Sequence, residues 1–294
     1  MQDFVHLHVH TQYSILDGQA SIPRLVDKAI ANGMRGIAVT DHGDMFGIKE
    51  FFNYVNKKNG GTNGEIKDLK KKIAALESGK AESENPEAEL AACREQLEAA
   101  KKRLFKPIIG CEMYVARRSL ELKDGKQDQS GYHLVVLAKN LKGYHNLIKL
   151  VSKAWTKGFY MRPRTDRTEL EKYHEGLIVC SACLGGEIPR RITAGQFAEA
   201  EEAIEWYRNL FGEDFYLELQ RHKATVARAN HETYKLQEVV FEDIRHQAGL
   251  HERRTLCGRR ERRGSRPSYL FEYRKGFGRS EPYALHQAGM DEDP

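Results

Sequence analysis

Histidines 8 and 10 stand at the end of a short apolar run, Phe4 to Val9, and in an extended strand residues two apart face the same way. Both imidazoles of HLHVHTQYSILDG therefore reach toward one ion beyond the strand's end, with Asp17 close behind as a carboxylate. Further on, AVTDHGDMFG sets Asp41 and His42 at the tip of a second apolar run. Nitrogen and oxygen donors in this pattern point to a divalent metal site and to phosphate chemistry.

The segment between the two motifs explains how they meet. Ser21 is placed to cap a helix with Ile22, Leu25, Val26, Ala29 and Ile30 on one face, ended by Asn32-Gly33, and Gly36 to Thr40 forms the next strand. This β-α-β unit predicts parallel strands with their sites at the carboxyl ends.

Residues 56–104 break that rhythm. NKKNGGTNG reads as a flexible loop; Ile66, Leu69, Ile73 and Leu76 then recur at heptad spacing, and after a turn at Ser83 to Pro86 so do Leu90, Cys93, Leu97, Ala100 and Leu104. The pattern predicts an inserted antiparallel helical hairpin. Its charges alternate in sign, which favours a solvated hairpin over a nucleic-acid arm.

Strand signals resume at Phe105. KPIIGCEMYV places Glu112 inside an apolar run, where a carboxylate needs partners. His133 opens HLVVLA, Leu177 to Ser181 is followed by Cys183, and Phe215 to Leu219 is followed by Gln220, Arg221 and His222. Singly, each has an ordinary explanation: a structural histidine, an arginine partner for Glu112, core packing or half a zinc knuckle for Cys180-x-x-Cys183. Together, donors at successive strand tips line one mouth and predict a metal site containing His8, His10, His42 and Cys183.

Composition narrows the class. The five cysteines are odd in number and scattered, which argues for reduced thiols, and no apolar stretch is long enough to span a membrane; with no secretory leader at the N-terminus, a cytoplasmic location is expected. The net charge of +5 is uneven: residues 1–242 carry +2, and residues 243–294 carry +3. A basic protein of general nucleic-acid affinity is not indicated.

HLHVHTQYSILDG, GIAVTDHGDMFG, PIIGCEMYV, HLVVLAKNLKGYHNLIKLVS, GLIVCSACLGGEIPR and FYLELQRH resemble the N-terminal PHP (polymerase and histidinol phosphatase) domain of the bacterial DNA polymerase III alpha subunits, over residues 1 to about 238. The histidine motifs are common to PHP phosphoesterases, whereas YHNLIKLVS and SACLGGE point to the polymerase branch. The resemblance implies an α/β fold, a distorted PHP-type β/α barrel of roughly seven strands. It implies as metal ligands His8, His10, Asp17, His42, Glu112, His133 and Cys183, with Glu112 bridging two ions and Asp41 ligating or orienting; His222 is a further possible site residue. Glu112 and Asp41 are the implied catalytic residues. The cofactors would be divalent ions, Zn, Mn or Mg, up to three of them. The implied substrates and partners are a DNA 3′ end or nucleotide phosphate, the polymerase domains and other replisome subunits, with no membrane. Hydrolysis of the proofreading type or support of the polymerase would be the function. A free-standing phosphatase of the histidinol-phosphate type and a non-catalytic metal-binding fragment are the alternatives.

After FYLELQRH and its helix the family pattern continues to an Asn-Asp-x-His-Phe stretch, and nothing similar follows in this chain. Residues 1–242 hold 22 Lys and 14 Arg; residues 243–294 hold 1 Lys and 10 Arg, and periodicity is lost. GLHERRTLCGRRERR can be encoded so that the same bases, read one nucleotide later, give VCTNDVHFVDEENA, which contains the Asp-x-His. PSYLFEYRKGFGRSEP similarly hides PICLSTGKDLDDPN. The expected organisation is a barrel over 1–55 and 105–238, incomplete at its C-terminal end, a hairpin over 56–104, and an out-of-frame, disordered Arg-rich tail over 239–294. The polymerase palm would lie beyond the chain. Without the final ligand pair the chain is expected to have little activity.

Overall fold

The computed structural model describes residues 4–16, 18–81 and 84–221 and two strand segments of the tail, the backbone alone being described for 219–221 and for those segments. In chain order the first elements are α1 (Ile22–Ala31), β1 (Gly36–Val39), α2 (Ile48–Lys58), α3 (Gly60–Glu77), α4 (Pro86–Arg103), β2 (Lys106–Val115) and α5 (Gly125–Asp128). Then come β3 (Tyr132–Ala138), α6 (Leu141–Thr156), β4 (Arg164–Thr165), α7 (Arg167–Tyr173), β5 (Leu177–Cys180), α8 (Glu187–Thr193), α9 (Phe197–Phe211), β6 (Phe215–Arg221), β7 (Thr255–Arg259) and β8 (Leu270–Glu272).

One sheet runs β1-β2-β3-β5-β6-β7-β8, with β4 also paired to β2, and it curls into part of a barrel. Strand alternation divides the core. Leu134 and Val136 face outward with Met113, Leu147, Ile188 and Tyr207, while Val135 and Leu137 face inward with Ala38, Ile178 and Tyr216. A third cluster joins α1 and α2 to β1 through Val26, Ile37, Val39 and Phe51. Cys180 is buried in the inner cluster and serves packing.

The parallel pairing expected of the first β-α-β unit is present, since the bridge between His6 and Ile37 is parallel, but the later strands are mixed. β1 pairs with β2 in parallel, but β3 is antiparallel to both β2 and β5, and β5 and β6 are parallel again. Because β3 runs backwards, its first residues meet the carboxyl end of β2, and His133 reaches the shared rim from the start of its strand. The expected first strand, Phe4 to Val9, shrinks to a single parallel bridge between His6 and Ile37. There the Thr40 hydroxyl takes the place of a ladder carbonyl, accepting from Val9 N at 2.8 Å, while Thr40 N donates to Val9 O.

Helix α1 forms as its pattern predicts, with Gly33 in the left-handed region at φ 73 after the Asn32 cap, although Ile30 lies on the exposed side. NKKNGGTNG is not a loop: α2 and α3 meet at Asn59, and its glycines are helical. The Asn59 side chain clamps the base of the hairpin, donating to Phe105 O at 2.8 Å and accepting from Phe105 N at 3.0 Å. Helices α3 and α4 pack on each other and bury Ile66, Leu76, Cys93 and Ala100, none of which belongs to the three core clusters. Residues 82 and 83 of the expected turn lie outside the described residues.

In the tail, β7 pairs in parallel with β6 and β8 pairs antiparallel with β7. The remaining tail residues lie outside the described ones, as do Asp17 and His222.

Candidate metal centre

Glu112 is 1% exposed and surrounded by imidazoles rather than by an arginine. Its Oε1 lies 3.2 Å from His8 Nε2 and 2.8 Å from His133 Nδ1; its Oε2 lies 2.5 Å from His42 Nδ1 and 3.5 Å from His10 Nε2. Cys183 Sγ stands 3.6 Å from both Glu112 Oε1 and His133 Nδ1. Six of the seven sequence-predicted ligands, His8, His10, His42, Glu112, His133 and Cys183, are thus gathered at one rim.

They form two overlapping groups, His8–His10–Glu112 and Glu112–His133–Cys183, each with donor atoms within 4.8 Å of one another. Glu112 belongs to both. The donor set of imidazole nitrogens, a shared carboxylate and a sulfur fits divalent cations.

Local backbone supplies this convergence. Glu112 N donates to Asp41 O and Gly43 N to Glu112 O, so the chain beyond β1 continues beside β2 and carries His42 to the carboxylate. Ala182, buried and at φ 62, turns the chain before Cys183, a strained position for a non-glycine residue. Gly185 must be glycine, since a Cβ would sit 2.8 Å from the His133 ring.

Hydrogen bonds set the tautomers. Asp41 accepts from Thr11 N at 2.6 Å, Thr11 Oγ1 at 2.8 Å and Ser14 Oγ at 2.7 Å. Its carboxylate thereby orients its neighbours rather than joining the Glu112 cluster. With the Ser14 proton committed to Asp41, Ser14 Oγ accepts from His10 Nδ1–H at 3.0 Å, leaving His10 Nε2 bare toward His8 and Glu112. Glu218 does the same for His8, facing its Nδ1 at 2.9 Å. Glu218 escaped the sequence reading, which passed along FYLELQRH to the residues after it. The signal was there: like Glu112, it is a carboxylate within an inward-facing apolar alternation.

Burial opposes ionisation of Glu112, yet His8, His133 and His42 hold its carboxyl well below the ordinary range. Burial likewise opposes charge on His8, but Glu218 and Glu112 outweigh it and raise His8 to about 10. His10 is lowered to about 3 by burial and its histidine neighbours, against the pull of Glu112. The Cys183 thiol is pushed up by burial and then by Glu112, and Asp41 is raised by burial despite its hydrogen bonds. A proton on His8 therefore sits between two carboxylates, in a pocket negative enough to attract a cation.

A curled sheet with imidazole, carboxylate and thiol donors gathered at its rim has the character of a metal-binding domain, and residues 6–222 match the PHP domain family: the chain belongs to it. More particularly, it is similar to DNA polymerase III subunit alpha of Borreliella burgdorferi, at 44% identity over 222 residues, covering 74% of this chain and 15% of that protein. The Treponema pallidum subunit is 38% identical over 221 residues (74% and 15%), and the Aquifex aeolicus subunit 34% over 225 residues (74% and 16%). The chain thus spans about a sixth of the length of these curated relatives. Among the described residues no helix is long and apolar enough to cross a membrane.

Proposed function

We propose that this chain carries the PHP domain of a replicative DNA polymerase alpha subunit, acting in the cytoplasm on the phosphodiester at a DNA 3′ end. The observation that supports this most is the pair of donor groups sharing Glu112. His8, His10, His42, Glu112, His133 and Cys183 would hold the ions, with Asp17 as a further ligand, and the mixed N, O and S donors suit Zn better than Mn or Mg. Bound divalent ions supply electrostatic activation of water and of the phosphoryl oxygens. The protein's own part is orientation: Glu218 fixes His8, and Asp41 fixes His10 through Ser14. Polymerase domains and other replisome subunits are the proposed partners.

We further propose that residues 239–294 are an out-of-frame reading and that the 294-residue chain holds metal with little turnover. The abrupt exchange of Lys for Arg, the lost periodicity and the hidden Asp-x-His support this together. The test compares this chain with the frame-corrected domain, measuring bound Mn or Zn and nucleotide released from a DNA 3′ end. Metal retained by both and release by the corrected domain alone is the expected result; equal release by both defeats the proposal.

A further inference from the structure

Beside the metal centre, three aromatic side chains lie in one row and are unusually exposed: Phe46 at 61%, Trp155 at 41% and Phe159 at 46%. Phe46 and Trp155 are 5.8 Å apart between ring centroids, and Trp155 and Phe159 are stacked at 5.6 Å. The row is anchored to the centre, because Trp155 Nε1 donates to Gly43 O at 2.8 Å, next to His42. Exposed rings of this size are costly in water unless something covers them.

The surrounding charge says what the cover is. Residues 153–162, KAWTKGFYMR, contain no acid; Lys153 is paired with Glu169 at 2.7 Å, and Lys157 and Arg162 are the exposed cations. Arg162 is exposed and lies over Tyr114 at 5.5 Å, and Tyr114 in turn contacts the rings of His42 and His133. Between row and arginine, Met161 holds φ 62 at the tip of a tight Tyr160–Arg162 turn, backbone strain that keeps the guanidinium beside the rim. Stacking faces interleaved with cations match unpaired bases joined by phosphates.

We propose that Phe46, Trp155 and Phe159 form a stacking platform for a single nucleic-acid strand, whose end Arg162 guides to the metal centre. This rests on the reading of that centre as a phosphodiester site and names its substrate as an unpaired strand.

The test uses the full chain, with fluorescence anisotropy of a labelled oligothymidylate of about 12 nucleotides, within the length such platforms occupy. Arms with an abasic strand of equal length and with a duplex separate stacking from charge. Phe46→Ala and Phe159→Ala should each weaken oligothymidylate binding by roughly 5- to 150-fold, the range for one lost base stack. Trp155→Phe, which keeps a ring, should weaken it less than Trp155→Ala, and metal content should be unchanged in all four. Equal affinity for the abasic strand overturns the proposal, as does absence of binding to every oligonucleotide, the result if a protein partner covers the row. Metal retained without strand binding defeats this inference alone; stacking-dependent binding without retained metal upholds it and defeats the metal reading.

Discussion

Glu112 and Glu218 are both buried carboxylates facing His8, yet they should fail differently. Glu112 belongs to both donor groups, so Glu112→Gln is expected to abolish retention of all bound metal. Glu218 faces the far nitrogen of His8, so Glu218→Gln should weaken binding ~10- to 100-fold, the usual effect of losing an orienting partner. Metal analysis after dialysis against graded chelator separates the two; equal losses would show that Glu218 is itself a ligand. The pH dependence follows from His8. Its proton, held to about pH 10, must leave before a metal binds, so apparent affinity should fall ~10-fold for each unit of pH lowered below that value. In the metal-free protein the sign is opposite for stability: the His8 contribution is complete below its ordinary 6.5 and lost as pH rises through about 10. The depressed Glu112 contributes above its ordinary 4.5 and loses that contribution in acid. Calorimetric titration with Mn at pH 6, 7 and 8 checks this, and a pH-independent affinity would exclude proton displacement. At this scale the sequence was informative wherever a donor interrupted an apolar run. It left Asp41 open between ligating and orienting, because hydrogen bonds from Thr11 and Ser14 depend on a loop path that no periodicity encodes.

The hairpin of α3 and α4 is legible as an element for the same reason that it is separable. Its heptad seam satisfies itself, and the Asn59–Phe105 clamp holds its two ends together independently of what lies between. Replacing residues 60–100 with a short Gly-Ser linker should leave the melting temperature of the frame-corrected domain within a few degrees, since each kcal/mol lost shifts a domain of this size by about 2–4 °C. A fall of more than about 10 °C in differential scanning calorimetry would place the hairpin in the core. Strand direction was less legible. HLVVLA announces a strand, but buried strands are apolar on both faces whichever way they run, and only the pairing of Glu112 with Val135 shows that β3 reverses. The loop assigned to NKKNGGTNG failed because glycine's local cost, ~1 kcal/mol each, was outweighed by packing of α3 along α4.

For the molecule as a whole, the prediction concerns its gene. Genomic DNA should show a one-nucleotide insertion or deletion between the codons of about Leu236 and Glu242, with the adjacent frame open and encoding Asp-x-His. Stop codons throughout that frame would end the explanation. β7 lies against β6, the strand that carries Glu218, so a corrected sequence at this position would bring its own donors toward the same rim. The centre is also unevenly wired through the chain. Glu112 and His133 are 21 residues apart and sit on adjacent antiparallel strands, whereas His8 and Glu218 are 210 residues apart. Closing the first loop costs little entropy and the second more, and the second requires nearly every intervening strand to be in place. The two halves of the centre thereby become clocks for different moments of folding. During synthesis the Glu112–His133–Cys183 half is available to capture an ion while β6 is still inside the ribosome, and the His8 half closes only when the sheet is assembled.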